Sequence, residues 1–295
     1  MPGRQWYNAF RRRHPQISER IAQNLTYSQV GVSKEKIRAW FQEVKDNLPL
    51  NLQIIDSSRI FNLDESAFKL NPKGNSVLAT KGNKTVYNIV GNDKKECLTT
   101  LICGNAAGQI LPPMVLFPYK RIPRNIATSM PKGWGIGCSD SGWMTAETFY
   151  EYISNVFYPW LLKNEITFPV ILYLDGHASH LSYPLTKFCR EMKIQLVAFY
   201  PNATHILQPM DVAMFRPLKA AWSHEVQEWK MEHNGESLKR ENFASILDKS
   251  LKTLNISEIF KNGFKSTGLH PFCPDAINYK KYFDSSVFSE QAQPR

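Results

Sequence analysis

Three aspartates stand where an acid is least expected. Asp64 closes the apolar stretch Ile60-Phe61-Asn62-Leu63, Asp175 follows the run Val170-Ile171-Leu172-Tyr173-Leu174, and Asp211 lies in the first turn of a helix expected after the last strand. Taken singly, each reads as a strand-end cap or a helix N-cap. Taken together they read differently, because neighbouring strand ends and the helix that follows converge at one edge of a sheet. Three carboxylates at close range repel strongly unless a cation neutralises them. Hard, oxygen-preferring Mg²⁺ (or Mn²⁺) is the natural occupant. Two such ions, about 3.5–4 Å apart, can activate a water or hydroxyl and stabilise the leaving oxygen of a phosphodiester. Asp64, Asp175 and Asp211 are therefore the expected catalytic and metal-ligating set. Glu65 follows Asp64 and points to the other face of its strand, which excludes it.

Histidines and a glutamine surround these acids. His177 and His180 have an HxxH spacing, but no third zinc ligand of suitable type stands nearby. They read better as contacts to a scissile phosphate or as groups that order the loop after Asp175. His205 and Gln208, just before Asp211, read as hydrogen-bonding groups behind the acids.

The elements that must position these residues can be read from apolar periodicity. Ser33 caps a helix whose Ile37, Trp40, Phe41, Val44 and Leu48 form one stripe. Arg59 to Asp64, Thr85 to Val90 and Cys97 to Cys103 read as strands of a meander, and Gln109 to Phe117, broken by Pro112-Pro113, as an edge strand or a strand start. After a Gly- and Pro-rich loop (122–142), Thr145 caps a helix carrying Phe149, Tyr150, Ile153, Phe157 and Leu161. Val170 to Leu174 has no polar alternation, as expected of a central strand covered on both faces. A helix over 184–192, a strand over 195–199 and a helix from 208 toward Trp229, kinked at Pro217, follow. The fold class expected is α/β: a mixed sheet flanked by helices, with a short helical N-terminal segment. The expected division is 1–57, a helical segment; 58–230, the core; and 231–295, a helical C-terminal extension.

The chain has 295 residues, 43% of them hydrophobic, enough to bury a large core. No run approaches 18 apolar residues, so no membrane partner is expected. The N-terminus has basic residues with no apolar stretch after them and does not read as a secretory signal. Five cysteines without a CxxC pair fit a reducing compartment. Net charge is +10, and residues 1–50 hold nine basic against four acidic residues, with Arg11, Arg12 and Arg13 consecutive. Such a patch attracts polyanions; its plainer reading is a solvated basic face.

The segments RIFNLDESAF (59–68), VILYLDGHASHL (170–181) and THILQPMDVAMFRPLKAAW (204–222) resemble the three acidic motifs of the DDE-superfamily transposases, in the pogo/Tigger/jerky-like branch where all three acids are aspartate. Thirty-five residues separate Asp175 from Asp211, a spacing similar to that superfamily's. Residues 263–275, GFKSTGLHPFCPD, resemble the segment after its catalytic core, and residues 4–20 resemble the tail of a centromere-protein-B-type helix-turn-helix. The resemblance implies an RNase H-like core and two-metal cleavage and joining of DNA phosphodiesters. It places Asp64 and Asp175 as bridging ligands and Asp211 on the second ion. It also implies a nuclear location, terminal inverted repeats as substrate, Arg11, Arg12 and Arg13 as DNA contacts, and a homodimer among the allowed assemblies. The chain starts inside the second of the family's two DNA-reading modules. The alternative it leaves open is a domesticated, inactive, nucleic-acid-binding nuclear protein.

Overall fold

The computed structural model describes residues 3–15, 31–48, 56–72, 96–177 and 182–283. The strand expected over Thr85 to Val90, and His180, lie outside them. Residues 1–32 and 33–295 form two separate compact units. In the first, helix α1 (Arg4–Arg13) buries none of its residues, and Arg11, Arg12 and Arg13 fill its last turn, where cations complement the helix dipole. The compact units divide at 32/33 and not at the expected 57/58.

The second unit is built on a mixed six-stranded sheet flanked by helices, in the order β4-β3-β2-β1-β5-β6. The strands are β1 (Ile60–Lys69), β2 (Cys97–Asn105), β3 (Met114–Phe117), β4 (Gly135–Cys138), β5 (Val170–Leu174) and β6 (Ile194–Ala198). β1 pairs antiparallel with β2 along its length but parallel with β5 only over Ile60–Asn62. Asp64 is therefore mid-strand and not at a strand end; what ends near it is the pairing with β5. β3 runs between β2 and β4, so Pro112-Pro113 mark its start and not a sheet edge. The edge is β4, whose four residues Gly-Ile-Gly-Cys hide within the Gly-rich stretch expected to be loop.

β5 is buried at all five residues, which requires cover on both faces. On one face Phe61, Leu63, Leu172 and Leu174 pack with Phe149, Tyr152, Phe157 and Leu161. On the other, helix α2 (Lys34–Asn47), capped by Ser33, sets Trp40 against Tyr173 and donates its indole N–H to the Ala198 carbonyl at 3.1 Å. The expected stripe of Ile37, Trp40, Phe41, Val44 and Leu48 is buried.

Further helices are α3 (Arg124–Ser129), α4 (Ala146–Tyr152), α5 (Tyr158–Lys163), α6 (Tyr183–Glu191), α7 (Thr204–Leu207), α8 (Phe215–Glu232), α9 (Arg240–Lys252), α10 (Ile256–Ser266) and α11 (Tyr279–Phe283). Thr145 caps α4 in a reciprocal capping box with Thr148. Two π-turns, Ile153–Phe157 and Met210–Met214, precede α5 and α8. Each is followed by a proline, Pro159 and Pro217, that lacks an N–H for the carbonyl four residues back and crowds it. Both carbonyls, of Asn155 and Ala213, lie in the π-turns. A widened turn accommodates the ring, so Pro217 gives a π-turn in place of the expected kink.

The C-terminal helices lie in the same compact unit as the sheet. α10 lies against β2 and the second π-turn through two close approaches. The Phe260 ring lies over Gly104, where an added Cβ would come within 2.3 Å of it, and at Gly263 a Cβ would stand 3.1 Å from Ala213 and 3.4 Å from Pro209.

Candidate active site

The three aspartates are brought to one face of the sheet. Asn62 and Tyr173 are the last pair in the parallel β1–β5 register, and Asp64 and Asp175 each lie two residues beyond it, Asp64 within β1 and Asp175 just past the end of β5. Asp211 arrives from the π-turn that packs on β1. Burial pushes the Asp64 carboxyl well above the usual carboxylate range, and the charges of Asp211, Glu65 and Asp175 push the same way, against a hydrogen bond from Gln208. Asp211 is also raised, by desolvation first; Lys219 opposes this, Asp175 adds to it, and a Thr204 side-chain hydrogen bond opposes it.

Each acid is held by a nearby donor. Glu65 N–H donates to Asp64 Oδ1 at 2.9 Å, and His177 N–H donates to Asp175 Oδ1 at 3.1 Å. The expectation that the three carboxylates close around shared ion positions is not met in full. Among the described residues, no three of His, Cys, Asp and Glu come near enough to hold one ion together. Like charges in a part-buried site repel, and the local donors turn the carboxylates apart. The donor chemistry nonetheless fits Mg²⁺ or Mn²⁺: hard carboxylate oxygens in electrostatic contact, with the proton affinity of Asp64 and Asp211 raised by desolvation first.

The remaining expected groups divide. Gln208 is 1% exposed and contacts Asp64. His177 serves Asp175 through its backbone. His205 is half-buried, with a buried Nδ1 that makes no hydrogen bond; burial lowers its pKa, against a backbone contact with Asn202. Trp222 is core: it packs on Phe68 and donates to the Lys69 carbonyl at 2.9 Å.

Sequence reasoning missed Asn62, Thr204 and Lys219. Asn62 is fully buried; its Nδ2 donates to the Tyr173 carbonyl at 3.0 Å and to Gln208 Oε1 at 3.1 Å, while its Oδ1 accepts the Met210 N–H at 3.1 Å. The available signal was a lone amide inside an apolar strand, two residues before an acid and so on its face.

A profile of the DDE superfamily endonuclease family matches residues 95–267. The chain belongs to that family. Over 224 residues, 74% of the chain and 24% of the relative, it is 28% identical to a Cochliobolus lunatus protein named MFS-type transporter clz9. Over 175 residues, 59% of the chain and 28% of the relative, it is 23% identical to the human Pogo transposable element with KRAB domain. The chain spans about a quarter of the length of these relatives. No helix among its described residues is long and apolar enough to cross a membrane. Among solved structures, a mariner Mos1 paired end complex with Mg is 15% identical with a TM-score of 0.56, covering 99% of this chain and 72% of that one. A pre-cleavage Mos1 transpososome is 14% identical with a TM-score of 0.54, over 95% and 70%. The fold is thus the RNase H-like fold of these Mos1 structures.

Proposed function

We propose that this DDE family member is a metal-dependent endonuclease and transposase of the three-aspartate type, cleaving and joining DNA phosphodiesters with Asp64, Asp175 and Asp211. The observation that carries this is the position of Asp64 and Asp175, each two residues past the last pair of adjacent parallel strands, with Asp211 and Asp175 both in electrostatic contact with Asp64. Two divalent ions, when bound, would supply charge to the reacting phosphate and lower the pKa of an attacking water. The chain's own part is to present carboxylate oxygens, and Asp64, Asp175 and Asp211 would be the residues that hold the ions. Lys219 and the Thr204 hydroxyl limit the charge at Asp211. DNA as partner is supported by the excess of basic residues, with Arg11, Arg12 and Arg13 exposed on α1. A nuclear location, terminal inverted repeats as substrate and a homodimer belong to the same proposal.

The test is nicking of supercoiled plasmid in Mg²⁺ or Mn²⁺. Asp64→Asn, Asp175→Asn and Asp211→Asn should each abolish metal-dependent nicking while leaving DNA affinity in place. The exposed Asp140→Asn should behave as wild type. A triad variant that still nicks at the wild-type rate would remove that acid from the site.

A further inference from the structure

Three chain segments must be held in register for this site to exist, and one side chain touches all three. Asn62 sits on β1, two residues before Asp64. It donates to the carbonyl of Tyr173, two residues before Asp175, and accepts the N–H of Met210, the residue before Asp211. The direction of each bond is fixed. A backbone N–H can only donate, so the Met210 contact requires Asn62 Oδ1 to face it. Asn62 Nδ2 must then face Gln208, which has to offer its Oε1 there. The Gln208 NH₂ is thereby left for Asp64. Neither amide can flip without setting donor against donor in the buried interior.

We infer that Asn62, acting with Gln208, is the positioning residue that registers the three aspartates to one another. Two donors and one acceptor on a single planar group fix the spacing between the two strands and the π-turn. This rests on the proposed metal-dependent reading. It adds a claim that can fail separately: the acids bind metal as a set only while the amide hub is intact.

The experiment is Mn²⁺ binding to the full chain by titration calorimetry, with thermal melting of every variant as the check on folding. Asn62→Leu removes all three bonds at similar volume and should weaken Mn²⁺ affinity about 10–100-fold, as loss of groups behind metal ligands does. Should Asn62→Leu fail to fold, Gln208→Met, which removes the Asn62–Gln208 bond and the Gln208 contact with Asp64 but spares the Tyr173 and Met210 bonds, should fold and still weaken Mn²⁺ binding. A folded Asn62→Leu or Gln208→Met that binds Mn²⁺ like wild type overturns this inference and leaves the metal reading standing. Wild type that takes up no Mn²⁺ overturns the metal reading, and the inference falls with it.

Discussion

Asp64 and Asp211 are both raised above the ordinary carboxylate range, and the sign of the consequence can be worked out. An acid whose folded-state pKa lies above its unfolded value of about 4 binds its proton more tightly when folded. Below pH 4 it costs nothing, and as pH rises toward the folded value the unfolded chain ionises first and stability is lost. Without metal, Asp64→Asn or Asp211→Asn should therefore melt higher than wild type at pH 7. The gap should close as pH falls toward 4. Adding Mg²⁺ should reverse the order, because only wild type keeps the full set; a ligand at 100 times its dissociation constant stabilises by about 2.7 kcal/mol. Melting curves across pH, with and without Mg²⁺, check all three statements, and identical curves for wild type and variant would sink the charge argument. At this scale the acids were legible because carboxylates are rare in apolar runs. Asn62 was not, since its partners lie 111, 146 and 148 residues away in sequence. No local pattern encodes pairings at such separations.

Whole elements carry a different kind of information. Pro217 crowds the Ala213 carbonyl inside the π-turn that bears Asp211. Pro217→Ala restores a donor for that carbonyl and allows the turn to tighten toward a regular helix. The variant should melt higher, since proline is about 3 kcal/mol worse than alanine in a helix interior. It should nevertheless respond less to Mn²⁺, because tightening the turn rotates Asp211. Higher melting with an unchanged Mn²⁺ response would show that the π-turn does not aim the acid. Gly104→Ala should cost about 1–3 kcal/mol by forcing a methyl into the Phe260 ring. Phe260→Leu in the same chain should recover much of that loss, and denaturant melts of the four combinations read the coupling. Helices α2 and α4 were legible because Ser33 and Thr145 cap clear apolar stripes. β4 was not, because Gly-Ile-Gly-Cys has turn composition and becomes a strand only by pairing with β3.

For the molecule as a whole, charge and architecture separate. The three arginines of α1 lie in the unit of residues 1–32, and the sheet lies in the unit of residues 33–295. Removing residues 1–20 should flatten the slope of log DNA affinity against log salt by about 0.9 for each phosphate that those residues neutralise. Cooperative melting of the remainder should persist. A slope unchanged by the deletion, measured by fluorescence anisotropy over a salt series, would place the DNA-binding surface elsewhere. The layered α/β arrangement was legible from the buried β5 run, which needs cover on both faces. The role of α9 and α10 in the main body was not, because their apolar stripes say that they pack and not against what.

The seat of α10 on Gly104 and on the Asp211 turn has a consequence for how the protein is made. A ribosome adds roughly 5–20 residues per second, so a few seconds pass between the synthesis of Asp211 and completion of α10 at Ser266. Throughout that interval the nascent chain owns every acid and lacks the helix that braces the turn carrying the third. The proposed site is thereby left unbraced until α10 has been translated. A transcript cut before Ile256 would yield a chain with an intact acid signature and no braced site.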